Sequence, residues 1–197
     1  MKTIKLSAIT TMLLVTCGVT SSIAANDWSV NEELSSLTYV STKKEHVAEN
    51  HTISGITGGV DASGNLAISL DMTSVDSEID VRDQRMKDML FKTESFPAAT
   101  FSAEIDLDEY SSLEVGESAE SFVEGELSLV GITTEIEFDV LVTRTGEDSV
   151  IVNTAAPVIM SANNLQINEG VDALKSVAKL SSISDSVPVY MTIVLVK

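Results

Sequence analysis

The chain of 197 residues has one cysteine (Cys17), three prolines, two histidines and nine aromatic residues. A lone cysteine excludes an internal disulfide and a thiolate metal cage. So few aromatics exclude the paired girdles of an outer-membrane barrel, so the chain is not expected to be transmembrane. Cations are scarce as well: 12 Lys and Arg against 30 Asp and Glu give a net charge of −18. A surface of that sign repels nucleic acid and anionic membrane faces, and no nucleic-acid partner is expected. There is no Gly-x-Ser-x-Gly elbow and no glycine loop that could cradle a phosphate. His46 and His51 lie on a polar stretch with Glu45 and Glu49 nearby, and read as solvated surface groups rather than metal ligands. Asp61-x-Ser63-x-Asn65 offers only the start of a calcium loop, because Gly64 is misplaced and no Glu follows at the twelfth position. The many carboxylates fall at strand spacing on solvent faces. These readings give no catalytic set and no metal site, so an enzyme is not expected.

Residues 1–25 stand apart. Lys2 and Lys5 flank the start of an apolar run, Leu6 to Val19, and small residues follow up to Ala24 and Ala25. That is the pattern of a secretory signal cleaved near Ala24 or Ala25, with an apolar run too short to span a bilayer. The alternative is a lipobox, Leu14-Val15-Thr16-Cys17-Gly18, in which Thr16 stands where such motifs usually carry Gly, Ala or Ser. Soluble export to the periplasm or the medium is therefore expected over a lipoprotein anchored through Cys17. Removing the segment takes away Lys2 and Lys5 and none of the acids, so residues 26–197 carry a net charge of about −20. That length suffices for one domain with its own core.

After Trp28 the dominant pattern has period two. Leu66, Ile68, Leu70 and Met72 share one face; so do Phe101, Ala103, Ile105 and Leu107. Val123, Gly125, Leu127 and Leu129 repeat the pattern, as do Ile136, Phe138, Val140 and Val142, and Val187, Val189, Met191, Ile193 and Leu195. Alternation of this kind gives each strand one buried and one wet face, the antiparallel case. Asp61–Asn65 and Val130–Thr133 read as hairpin turns. Weaker strands are expected over 28–30, 37–42, 51–60 and 149–160. About eight strands must bury their apolar faces together, so the chain is all-β and closes as a barrel or stacks as a sandwich.

Two short helices interrupt the meander, at about 81–93 and at 170–180. The first holds Arg82, Arg85, Lys87 and Lys92 among Met86, Met89, Leu90 and Phe91. On a helical wheel Arg82, Met86, Met89 and Leu90 share a face, Arg85 lies at its edge and Phe91 falls opposite. Methionines facing a pocket adapt to irregular ligands. In the other reading this face plugs a barrel end, with Arg82 paired to Asp71, Asp80 or Asp83. Inside an eight-stranded barrel there is room for side chains or for one small ligand. Gly55, Ala103 and Gly125 on inward faces either leave space for a ligand or serve curvature.

Together these residues resemble the YceI-like, polyisoprenoid-binding family of exported bacterial proteins. The likeness rests on Trp28 with Ser35 and Ser36, Ile53-Ser54-Gly55, Arg82-Asp83-Gln84-Arg85-Met86 and Leu90-Phe91. It continues through Phe96-Pro97-Ala98-Ala99-Thr100-Phe101 and Gly125 to Thr133. The resemblance implies a lipocalin-like antiparallel barrel holding an isoprenoid or similar long apolar chain, as carrier, store or sensor. The tail would lie among Leu70, Met72, Phe101, Leu127, Phe138 and Ile193, with Met86, Met89 and Leu90 at one end. Arg82 or Arg85 would meet an anionic head group or form a structural ion pair. No cofactor is expected beyond a bound isoprenoid lipid or quinone. The alternative is a non-carrier interaction or stress module with a filled barrel, whose Arg85, Lys87 and Lys92 dock an acidic protein partner; a homodimer is also left open.

Overall fold

In the computed structural model, which describes residues 27–197, the alternating segments form eleven antiparallel strands. They are β1 (Trp28–Val30), β2 (Ser36–Lys43), β3 (Val47–Ile53), β4 (Ile56–Val60), β5 (Asn65–Asp71) and β6 (Ala98–Glu104). β7 (Ser118–Leu129), β8 (Ile132–Gly146), β9 (Ser149–Thr154), β10 (Val158–Ser161) and β11 (Ser186–Val196) complete the sheet. The expected signal segment and Cys17 lie outside the described residues.

Eight strands close a ring in the order β1-β4-β5-β6-β7-β8-β9-β11, sealed where Ser29 and Val30 pair with Val196 and Leu195. The other three continue the same wall. β2 runs along β11 beyond β1, β3 pairs with β2, and β10 runs along β11 beyond β9. The chain is thus an up-and-down barrel in sequence order, with three of its eight wall positions each broken in two. Closure removes the free edges that an open sheet exposes.

Two of these breaks correct the sequence reading, which ran single strands through 51–60 and 149–160. Ser54 and Gly55 separate β3 from β4, with Gly55 at φ +65° and its missing Cβ 2.8 Å from Asp71 Cβ. Only glycine fits both constraints. Ala155–Pro157 separates β9 from β10, since proline gives no ladder donor. The third break is a 3₁₀ turn, Glu32–Leu34, between β1 and β2.

The first helical segment begins as α1 (Asp80–Arg85) and runs directly into a π-helical turn, Met86–Phe91, ending at Lys92 with φ +50°. A single turn, α2 (Asp108–Ser111), was not expected from sequence; α3 (Asn168–Val177) lies close to the expected second helix. No described helix is long and apolar enough to cross a membrane. α3 packs on the π-helical turn at Gly170, where a Cβ would stand 2.8 Å from the Met89 carbonyl oxygen and 2.9 Å from Leu90 Cα. Glycine there lets the two backbones meet.

The barrel therefore has two unlike ends. At the hairpin end lie Asp61–Gly64, α2, the β8–β9 turn, Trp28 and Lys197. At the helical end lie the long β5–β6 connection with α1, the β7–β8 turn, the β2–β3 turn and α3. The alternating apolar faces point inward, and the outer face is largely acidic, with Phe122, Ile159 and Tyr190 as exposed exceptions. On β7 and β8 that face sets Glu124 opposite Glu137 and Glu126 opposite Glu135, four exposed carboxylates in like-charged cross-strand pairs.

Candidate ligand-binding site

The inward faces do not meet at the barrel axis. They surround a chamber of about 890 Å³ that reaches from one end of the barrel to the other. That volume is within the range of sites that hold small ligands. Most inward residues of the period-two pattern line it, among them Leu66, Ile68, Ile136, Val140, Val189, Met191 and Leu195.

Leu70, Met72, Phe101, Leu127, Phe138 and Ile193 all line the chamber, as do Met86 and Leu90 at its helical end. Phe101 and Phe138 meet at 5.6 Å between ring centroids, inclined by 48°. Met89 does not line it; it is half-buried, with its carbonyl oxygen facing Gly170 of α3. Phe91, expected on the far side, is buried at 6 % exposure and faces the chamber. The cause of both corrections is the π-helical turn. Hydrogen bonds from i to i+5 wind the chain less per residue, so Phe91 comes round to the face of Met86 and Leu90 while Met89 is carried off it.

The small inward residues do not create the space. A Cβ on Gly125 would stand 2.4 Å from the Ser102 carbonyl oxygen and 2.6 Å from Phe101 Cζ, so the phenyl ring occupies that position. Ala103 is absent from the chamber wall as well. Of the two meanings left open for these residues, space for a ligand is not what Gly125 and Ala103 supply, and Gly125 instead permits the close approach of Phe101.

At the helical end a hydrogen-bonded polar cluster faces the chamber. Arg82 donates from Nη1 to Glu49 Oε2 at 2.6 Å, from Nε to Ser77 Oγ at 2.8 Å and from Nη2 to the Ser77 carbonyl at 2.6 Å. Lys43 Nζ reaches the same Glu49 oxygen at 2.6 Å. Asp83 accepts from the Ser77 hydroxyl and from its backbone N–H. Arg82 thus forms the structural ion pair, but with Glu49 on β3, not with Asp71, Asp80 or Asp83. The hydrogen bond from Lys43, followed by that from Arg82, holds the Glu49 carboxyl below its usual range.

His51 also departs from expectation. It is only 2 % exposed, with Nε2 2.6 Å from Ser41 Oγ and its ring stacked on Tyr39 at 4.9 Å. Its Nδ1 is buried without a partner among the described residues. Burial, reinforced by the Arg82 charge, pushes its pKa down to about 4. Tyr39 donates its hydroxyl to Met86 Sδ at 3.3 Å, and burial raises its pKa. Sequence reading missed Tyr39, Lys43, Glu49 and His51 because the inward faces of β2 (Tyr39, Ser41, Lys43) and β3 (Glu49, His51) are largely polar. The signal was present in their period-two alignment with Leu37 on β2 and Ile53 on β3. His46 is exposed.

Arg85 is half-buried on the chamber wall, and among the described residues no carboxylate lies within 4.0 Å of it. Lys87 and Lys92 point away from the chamber, so the four cations form no single patch. At the hairpin end Arg144 donates to the carbonyls of Leu113 (3.2 Å), Gly146 (3.2 Å) and Glu147 (2.9 Å), pinning the α2 loop to the β8–β9 turn. Lys197 Nζ lies 4.8 Å over the Trp28 ring. Asp61 spends both carboxylate oxygens on Ser63 and Asn65 within its own turn.

A closed antiparallel barrel around an apolar chamber, capped by short helices, defines the lipocalin-like class. Within it, residues 25–195 match the YceI-like domain, and the chain belongs to the YceI-like family. Among solved structures it is similar to a polyisoprenoid binding domain from Saccharophagus degradans implicated in plant cell wall breakdown. That likeness has 31 % identity and a TM-score of 0.85, covering 87 % of this chain and 99 % of that one. BcnA of Burkholderia cenocepacia shares the fold at 15 % identity and a TM-score of 0.61, over 84 % of this chain and 98 % of that one. A Campylobacter jejuni YCEI protein does so at 15 % identity and a TM-score of 0.51, over 80 % of this chain and 84 % of that one. No curated protein matches the chain.

Proposed function

We propose that this protein is an exported lipid-binding protein that holds an isoprenoid or similar long apolar chain inside its barrel, as carrier, store or sensor. The observation that carries the reading is the apolar chamber of about 890 Å³, walled by the inward faces of the strands. The polyisoprenoid binding named for the Saccharophagus degradans domain supports it, at 31 % identity over nearly all of that domain. A filled barrel acting only through its surface accounts for neither. One heavy atom of a liquid occupies roughly 30 Å³, so the chamber takes about thirty of them, or about six five-carbon isoprene units. The N-terminal pattern of residues 1–25 supports export.

Protein purified from its own host, extracted with solvent and weighed by native mass spectrometry, should release a long-chain lipid. Repeated recovery of ligand-free protein whose side chains have collapsed into the chamber would overturn the reading.

A further inference from the structure

The chamber's two ends carry opposite charge. At the hairpin end its wall includes Asp27, Asp108 and Glu147 against Arg144 and Lys197. At the helical end it includes Lys43, Arg82 and Arg85 against Glu49 alone. An amphiphile with an anionic head therefore has a favoured direction, head toward the helices and tail toward Trp28.

The cations at the helical end are not equivalent. Lys43 and Arg82 both converge on Glu49, and Arg82 spends two further groups on Ser77. Arg85 has no such commitment among the described residues. Of the carboxylates on its own helical segment, Asp83 is engaged by Ser77 and Asp88 by the Gln84 amide at 2.8 Å, and Asp80 forms no ion pair with it within 4.0 Å. Its guanidinium is thus an uncommitted cation on the wall of an apolar chamber, in a protein whose charge otherwise repels anions. A guanidinium presents paired N–H donors that match the oxygens of a phosphate or carboxylate.

We infer that Arg85 is the residue that reads the head group, selecting long-chain lipids that end in an oxyanion and fixing their direction in the barrel, while Arg82 only positions the cap. The inference rests on the lipid-binding reading above and narrows it. A charge-assisted hydrogen bond of this kind contributes about tenfold or more to affinity.

Geranylgeranyl phosphate, geranylgeraniol, palmitate and inorganic phosphate can be titrated into delipidated protein and followed by native mass spectrometry and Trp28 fluorescence. Arg85→Gln should weaken geranylgeranyl phosphate or palmitate about tenfold, leave geranylgeraniol unchanged and keep the thermal midpoint. Whichever anion suffers the larger loss identifies the head. Arg85→Lys should recover part of the affinity, which a folding defect would not permit. Arg82→Gln should lower the midpoint and weaken all chains alike. Equal losses for alcohol and anion, or no loss for either anion, overturn the inference while leaving lipid binding intact. Binding of inorganic phosphate with the same dependence on Arg85 makes it a free-anion site and also overturns it. Wild-type protein that takes none of the chains overturns both readings.

Discussion

If the chamber is storage space for a hydrocarbon chain, filling part of it must shorten the chain it accepts. Leu127 on β7 and Ile193 on β11 both face it and are 9 % and 4 % exposed. Leu127→Trp adds about six side-chain heavy atoms, or roughly 180 Å³ at roughly 30 Å³ each. That is about a fifth of the 890 Å³ available and corresponds to about one isoprene unit. For a ligand of fixed length, each methylene driven back into water costs about 0.8 kcal/mol, so the loss can reach about 4 kcal/mol. Protein incubated with isoprenoid alcohols of graded length and then weighed by native mass spectrometry should show its preferred length fall by one unit. Leu127→Trp with Ile193→Trp should lower it by two. The unliganded barrel should keep its stability, because the added rings enter open space. A tightly packed interior would behave differently: overpacking would cost about 1–3 kcal/mol per ring. Loss of stability on that scale, with the length profile unmoved, would refute the chamber as the binding site.

Three further outcomes follow from particular contacts. His51 is neutral in the folded barrel down to about pH 4, while in the unfolded chain it takes a proton near pH 6.5, so stability is full above pH 6.5 and falls as pH drops toward 4. Urea midpoints should decline across that window, and His51→Gln should flatten the decline; the Glu49 contribution disappears only at lower pH, below the usual carboxylate range. Gly125→Ala would gain up to about 1 kcal/mol if the position faced empty space. With Phe101 and the Ser102 carbonyl in the way it should instead lose about 2 kcal/mol or more, read as a lowered thermal midpoint. Glu126→Thr should raise the midpoint at low salt by relieving the repulsion with Glu135, a gain of about 0.5 kcal/mol that shrinks as salt is added.

The architecture was legible wherever one physical demand governed a whole strand. The inward residues of β5, β8 and β11 could be read from alternation because burial dictates every second side chain there. The reading failed where a second demand intervened. Glu49 and His51 point inward on β3 to receive Arg82 and Tyr39, and these polar residues hid the strand's period. Met89 and Phe91 exchange places because the helix widens into a π turn, and an α-helical wheel contains no term for that. The break at Ser54–Gly55 depends on how closely Asp71 of β5 approaches Gly55, which no local pattern records, whereas Pro157 was a local sign of the break at 155–157. The split between Arg82 and Arg85 turned on Glu49, 33 residues from Arg82 in sequence and reached only through the fold.

If the chamber holds a ligand, the breaks in the wall also govern how it can enter or leave. Around most of the circumference, parting the barrel means tearing a ladder of backbone hydrogen bonds. Beyond the breaks, β3 meets the rest of the structure through β2 and one bridge at Thr52 and Asp76, and β10 is paired only with β11. The remaining circumference is closed by helices held by the Arg82–Glu49 pair and by the backbone seat of Gly170 against Met89 and Leu90, with no strand ladder. Such a closure can swing while every strand stays in register. Exchange through it should therefore quicken with ionic strength, which weakens half-exposed ion pairs, far more than mild denaturant loosens the sheet.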